Sequence, residues 1–248
     1  MADRARKVKP RSALFAPFSF LLICAALVFG MSVFFRVNNI VVEGNALYTP
    51  QEIIEASGVE QGDNLFFINR GAATNRIYSR LPYVETAVIT RSLPNRLTIR
   101  VTESSAIAWI TAEDGDWIID RTGKLLSRVE ETEQRRGLVK IIGLTPVEPE
   151  IGEIIAPEEA DSPKVTYLTA ILRLIGDFGM RENITYLDMT NVANPTFDYL
   201  GRFTVKLGSN ENVEYKFQVL LSTVAALKDG DRGTLDLSID KRAHFTYD

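Results

Sequence analysis

The sequence predicts an α+β protein held behind a single transmembrane helix. Three observations carry that expectation. Residues 12–35 form 24 positions without a charge, 19 of them apolar. Beyond them, hydrophobic patterns of both helical and strand period follow one another. Their order begins strand, helix, helix, strand, strand, the order of a small sheet covered by two helices; a β-rich domain with helices packed on a mainly antiparallel sheet is expected after it.

At about 1.5 Å per residue, 24 helical residues reach roughly 36 Å, enough to cross a hydrocarbon core of about 30 Å with some tilt. Pro17 is tolerated in a first turn, so the regular helix is expected from there to Phe35. Arg4, Arg6, Lys7, Lys9 and Arg11 precede the span against Asp3 alone, and a single Arg36 follows it. This asymmetry predicts a cytoplasmic basic tail (1–11) and places everything from Arg36 onward outside. The competing reading is a cleaved signal peptide ending near Gly30-Met31-Ser32. Its apolar region would usually hold only about 7 to 15 residues, whereas this run continues through Val33, Phe34 and Phe35. Cys24 reads as one more apolar helix residue.

Five basic residues against one acid give the tail a charge of +4, so the net −4 leaves −8 for the rest. The folded part therefore lacks the basic balance that nucleic-acid binding needs. With one Cys and one His, an intrachain disulfide is impossible, and a Cys/His metal site or nucleophile pair has almost nothing to draw on.

After the span, Val37, Ile40 and Val42 form a β-rich stretch closing on the turn signal Gly44-Asn45. Thr49-Pro50-Gln51-Glu52 supplies a cap, a proline at the first helical position and a glutamate three after the cap. Gly58 is placed to end that helix. A second helix is expected over 69–80, with Ala73, Ile77 and Leu81 on one face and Pro82 as its stop. Ala87, Ile89 and Arg91 then alternate, Leu93-Pro94-Asn95 turn the chain, and Leu97, Ile99 and Val101 alternate with Arg96, Thr98, Arg100 and Thr102. The hairpin has one apolar face for the helices to cover.

The order of these elements, with Ile40-x-Val42-x-Gly44-Asn45, Tyr48-Thr49, Gly62-x-Asn64-Leu65-Phe66, Leu81-Pro82-x-Val84 and Leu97-x-Ile99-x-Val101-x-Glu103, resembles a POTRA domain over residues 36–103. A POTRA domain directly after one N-terminal anchor, in a chain of this length, is similar to the FtsQ/DivIB bacterial cell-division proteins. The chain departs from that pattern at Glu103-Ser104-Ser105-Ala106, where the family often carries an Arg and then a Pro.

In the β domain (104–248), strands are expected over 106–111 and 117–120 around the turn Asp114-Gly115-Asp116, then at Leu125-Leu126 and over 138–142. Residues 146–163 make a connection holding Glu148, Glu150, Glu153, Glu158, Glu159 and Asp161, read as solvated because its carboxylates are scattered among prolines. A helix then starts near Ser162-Pro163 with Val165, Leu168, Leu172 and Ile175 on one face. Short strands over 185–188 and 203–207 precede a helix with Val213, Phe217, Leu220, Leu221, Val224 and Leu227 at helical spacing, ending at Gly230. Leu235, Leu237 and Ile239 alternate with polar residues and predict a final strand.

Searches for chemistry find no phosphate loop, no GxSxG elbow and no HExxH, and His244 is the lone imidazole. Neither a catalytic residue, nor a cofactor, nor a metal ligand is expected. Asn183-Ile184-Thr185 fits a glycosylation acceptor and reads as a surface turn. What remains is recognition, because a strand so close to the last residue tends to lie at a sheet edge and to offer unpaired backbone groups. The resemblance implies that this C-terminal part pairs with a small bitopic division protein of FtsB or DivIC type, in a complex with FtsL, among other divisome components. Carried onto this sequence, the partner-binding residues are Ile239, Lys241, Arg242, Ala243, His244, Phe245 and Tyr247. The same resemblance implies a cell-membrane protein at the division septum that helps control peptidoglycan synthesis. Two alternatives are a POTRA module for protein transport or outer-membrane assembly, and a membrane-anchored cell-wall enzyme.

Overall fold

The computed structural model describes residues 15–156, 162–239 and 242–248. The basic tail, the first three residues of the expected span and the acidic positions Glu158, Glu159 and Asp161 lie outside them.

Helix α1 (Phe15–Phe34) carries no charge, and from Phe18 to Phe34 its large apolar side chains point outward all round. Among the described residues it is the one helix long and apolar enough to cross a membrane. Pro17 is the third described residue of the helix.

The chain clusters into two compact units, the first running to Ile77 and including Thr86–Thr102, the second combining Tyr78–Glu85 with Glu103–Asp248. In the first, strand β1 (Asn39–Glu43) leads to helix α2 (Pro50–Ser57). The Thr49 side chain accepts from Glu52 N, and the Glu52 carboxylate accepts from Thr49 N at 2.7 Å, so two otherwise orphaned donors are satisfied reciprocally. Gly58 closes α2 at φ 63°, a backbone conformation with no cost to glycine. Helix α3 (Arg70–Arg80) follows, then β2 (Val84–Ser92) and β3 (Arg96–Glu103). Sheet order is β1-β3-β2, with β1 parallel to β3 from Asn39↔Arg96 to Glu43↔Arg100. Leu97, Ile99 and Val101 are buried with Ile53, Ala73 and Ile77, the face the alternation predicts.

The second unit holds strands β4 (Ala106–Ala112), β5 (Gly115–Asp120), β6 (Leu125–Arg128) and β7 (Val139–Ile142), then helix α4 (Ser162–Asp177). Strands β8 (Tyr186–Asp188), β9 (Thr196–Tyr199) and β10 (Phe203–Lys206), helix α5 (Val213–Ala226) and strands β11 (Gly233–Asp236) and β12 (His244–Tyr247) complete it. All nine strands form one sheet in the order β12-β11-β10-β9-β8-β7-β4-β5-β6. Five neighbouring pairs are antiparallel and three, β4/β7, β7/β8 and β10/β11, are parallel.

Both helices lie over one face of this sheet, through Leu168, Ile171, Leu172 and Ile175 of α4 and Val213, Phe217 and Leu220 of α5. Their buried faces are those the helical spacing marks, although α5 stops at Ala226 rather than at Gly230. Strand β9 is not among the strands the sequence predicts, because four residues, two of them polar, give too short a period to register. Tyr167 of α4 is 1% exposed, and its hydroxyl donates to Gly208 O at 3.1 Å and Ser209 O at 2.9 Å. Burial pushes its pKa far above the ordinary phenol value, so the group stays a neutral donor. Replacing Tyr167 by Phe leaves those carbonyls short of a donor and should cost about 1–3 kcal/mol, read from the denaturant midpoint at unchanged m-value.

Candidate partner-binding site

Strand β12 is antiparallel to β11 with the register Gly233↔Tyr247, Thr234↔Thr246, Leu235↔Phe245 and Asp236↔His244. Residues opposite each other share a face, so Phe245 stands with Leu235 on the helix-covered side and His244 with Asp236 on the other. Phe245 is half-buried against the core, with its ring edge-on to Phe203 at 6.0 Å and to Tyr247 at 4.6 Å.

Backbone groups along a strand point alternately to its two neighbours. Gly233 N donates to Arg202 O and Leu237 N to Lys206 O, so the odd positions of β11 serve β10. Asp248 N donates to Arg232 O, so the even positions of β11 serve β12 and take up the backbone groups of 244, 246 and 248. The N–H and C=O groups of Phe245 and Tyr247 therefore point away from β11, where the sheet has no further strand among the described residues. The opposite edge is different. There residues 152–155 pair with the start of β6 and the turn before it, with Leu125 N donating to Glu153 O at 2.8 Å and Gly152 N to Leu125 O at 2.7 Å.

The alternation that predicts one strand through Ile239 does not persist. The Asp236 carboxylate accepts from Ser238 N at 2.9 Å and Ser238 Oγ at 2.6 Å, and this local turn ends β11 at Asp236. Burial works against ionisation of Asp236, but the Ser238 bonds, with Lys206 and His244 nearby, hold its carboxyl below the usual range. Of the candidate residues, Ile239 (52% exposed) lies in the return loop, with Arg242 exposed and Ala243 half-buried after it. Lys241 lies outside the described residues. His244, Phe245 and Tyr247 share β12, the last 66% exposed.

Ile239 and Arg242 also border a shallow depression with Asn212, Tyr215, Lys216 and Val219 beside the start of α5. Tyr215 is 45% exposed, and no sequence signal singles it out beyond its absence from the Val213-Phe217-Leu220 stripe. The edge can add a strand, and exposed Tyr215 and Ile239 offer apolar surface next to it.

The family model for FtsQ-type POTRA domains matches residues 35–104. The cell division protein DivIB of Clostridium botulinum is 26% identical over 216 residues, 84% of this chain and 80% of its own. The cell division protein FtsQ of Corynebacterium glutamicum is 30% identical over 203 residues, 79% of this chain and 81% of its own. The chain belongs to the FtsQ/DivIB family. Its β-α-α-β-β unit is accordingly a POTRA domain, and its role is in cell division. The Bacillus subtilis DivIB, 28% identical over 124 residues, covers about half of either FtsQ/DivIB chain.

Proposed function

We propose that this FtsQ/DivIB protein is a non-catalytic, single-span adaptor of the division machinery. Residues 1–11 lie in the cytoplasm, 12–35 cross the cell membrane, and the POTRA domain (36–103) and partner-binding β domain (104–248) stand outside, at the septum. The β domain takes up a small bitopic protein of FtsB/DivIC type, in company with FtsL, and the assembly helps control septal peptidoglycan synthesis. The observation that carries the reading is the β12 edge, where the backbone groups of Phe245 and Tyr247 point away from β11 and meet no further strand among the described residues.

Two outward residues offer four backbone groups. At a net 0.5–1.5 kcal/mol each they supply about 2–6 kcal/mol, short of the roughly 8 kcal/mol of a micromolar complex. Side chains at Ile239, Arg242, His244 and Tyr247, with exposed Tyr215 beside them, add to it. Confinement of both partners to one membrane raises the effective concentration further.

Proline at an outward edge position removes a donor from an incoming strand without touching the existing ladder. Tyr247→Pro should thus lower co-purification of the bitopic partner by about tenfold or more relative to Tyr247→Ala, which loses the same ring contact with Phe245, while the two variants unfold within roughly 0.5 kcal/mol of each other. Thr246→Pro, whose N–H faces β11, should instead lower the midpoint. Full partner recovery with Tyr247→Pro would remove β12 as the contact.

A further inference from the structure

Immediately after α1 the backbone is bound to one loop of the POTRA domain. Val37 N donates to Asp63 O at 2.8 Å, Gly62 N to Val37 O at 2.8 Å and Leu65 N to Phe35 O at 2.9 Å. Arg36 and Asn64 form an antiparallel bridge, and Asn64 Nδ2 donates to Met31 O at 3.0 Å, inside the last turn of α1. Phe35 meets Phe66 edge-on at 5.0 Å. The loop over 62–67 is therefore level with the end of the span.

The β2–β3 turn comes to the same end of the domain, since Asn38 N and Asn39 N both donate to Asn95 O. At the tips of these two loops apolar side chains face outward, Phe67 81% exposed, Leu93 61% and Phe66 41%. Arg91 holds the first loop in shape by donating to Ile68 O at 2.7 Å. Exposed Arg36, Arg70 and Arg96 lie in sequence next to these tips, with Glu60 and Asp63 as the acids of the same loop.

A scattered exposed apolar residue needs no explanation, but three on two adjoining loops make a patch. It continues the outward apolar surface of Val33 and Phe34 at the end of α1. Aromatic side chains are favoured at the headgroup level of a bilayer, where a ring meets the top of the acyl chains. We infer that Phe66, Phe67 and Leu93 are a second membrane contact, set into the headgroup–acyl boundary of the bilayer that α1 crosses, and that they fix the orientation of the POTRA domain on the membrane surface. The inference rests on α1 as a span.

The test uses the full chain in phosphatidylethanolamine/phosphatidylglycerol vesicles containing lipids brominated high on the acyl chain. Emission added by Phe67→Trp, over the baseline of Trp109 and Trp117, should be quenched by about half or more. That added by Leu47→Trp, exposed beyond the far end of β1, should be unquenched. Val28→Trp in mid-helix, read with lipids brominated near the chain ends, reports the span separately. Quenching at position 28 with none at 67 overturns the contact alone; no quenching at either overturns both the span and the contact.

Discussion

Gly233→Ala is expected to strip β12 from the sheet and, on the proposed reading of that edge, to abolish binding of a bitopic partner. A Cβ on Gly233 would stand 2.0 Å from Thr246 O and 3.1 Å from the Phe245 ring, and the residue's φ of +154° is itself one that side chains rarely adopt. The clash falls on the backbone of the edge strand, which no rotamer change relieves. Strand β11 keeps its place, because its odd positions bond to β10 on the other side. Partner co-purification should fall by at least about tenfold, a loss of roughly 1.4 kcal/mol or more. The amides of His244 and Thr246 should exchange with solvent faster, while those of α4 and α5 keep their protection. Gly230→Ala, where an added Cβ meets nothing within 4 Å, is the matched control and should bind as the parent does. Parental binding by Gly233→Ala together with exchange showing β12 detached would mean that the partner docks elsewhere.

Phe217→Ala should produce the largest loss of stability. The side chain is fully buried, lying nearly parallel to Phe178 at 6.2 Å and to Phe197 at 5.9 Å, so it joins α5 both to the segment after α4 and to the sheet. Truncation removes apolar burial and leaves a ring-sized hole that rigid neighbours on both sides cannot close, at a cost of about 3–5 kcal/mol. For a unit of this size, each kcal/mol moves the melting temperature by about 2–4 °C, so calorimetry should show a fall of roughly 6–20 °C. Tyr215→Ala, on the exposed side of α5, should stay within about 0.5 kcal/mol. Equal losses at the two positions would mean that α5 is not anchored through the ring at 217.

Phe217 and Gly233 stand on opposite sides of what a sequence can display. Phe217 belongs to a helical stripe that is visible outright, and its burial follows the spacing. The function of Gly233 is invisible in sequence, because the atom it must avoid belongs to Thr246, thirteen positions away across a ladder. Ile239 shows the failure in the other direction. Alternation through Leu235, Leu237 and Ile239 reads as one strand, but the Asp236–Ser238 hydrogen bonds turn the chain and a new strand forms at His244.

By itself the sequence determined the apolar helix, the capped α2, the amphipathic hairpin and the buried faces of α4 and α5. Each is written in contacts between residues at most a few positions apart, so charge, period and capping chemistry suffice to find it. The tertiary structure alone decided that β4 pairs with β7, that β10 pairs with β11, and that residues 152–155 pair with the start of β6 while no strand among the described residues pairs with the outer side of β12. A strand's side-chain pattern tells which face is apolar but not which neighbour its backbone groups meet. The choice of edge, and with it the candidate site, follows from hydrogen bonds between residues far apart in the chain.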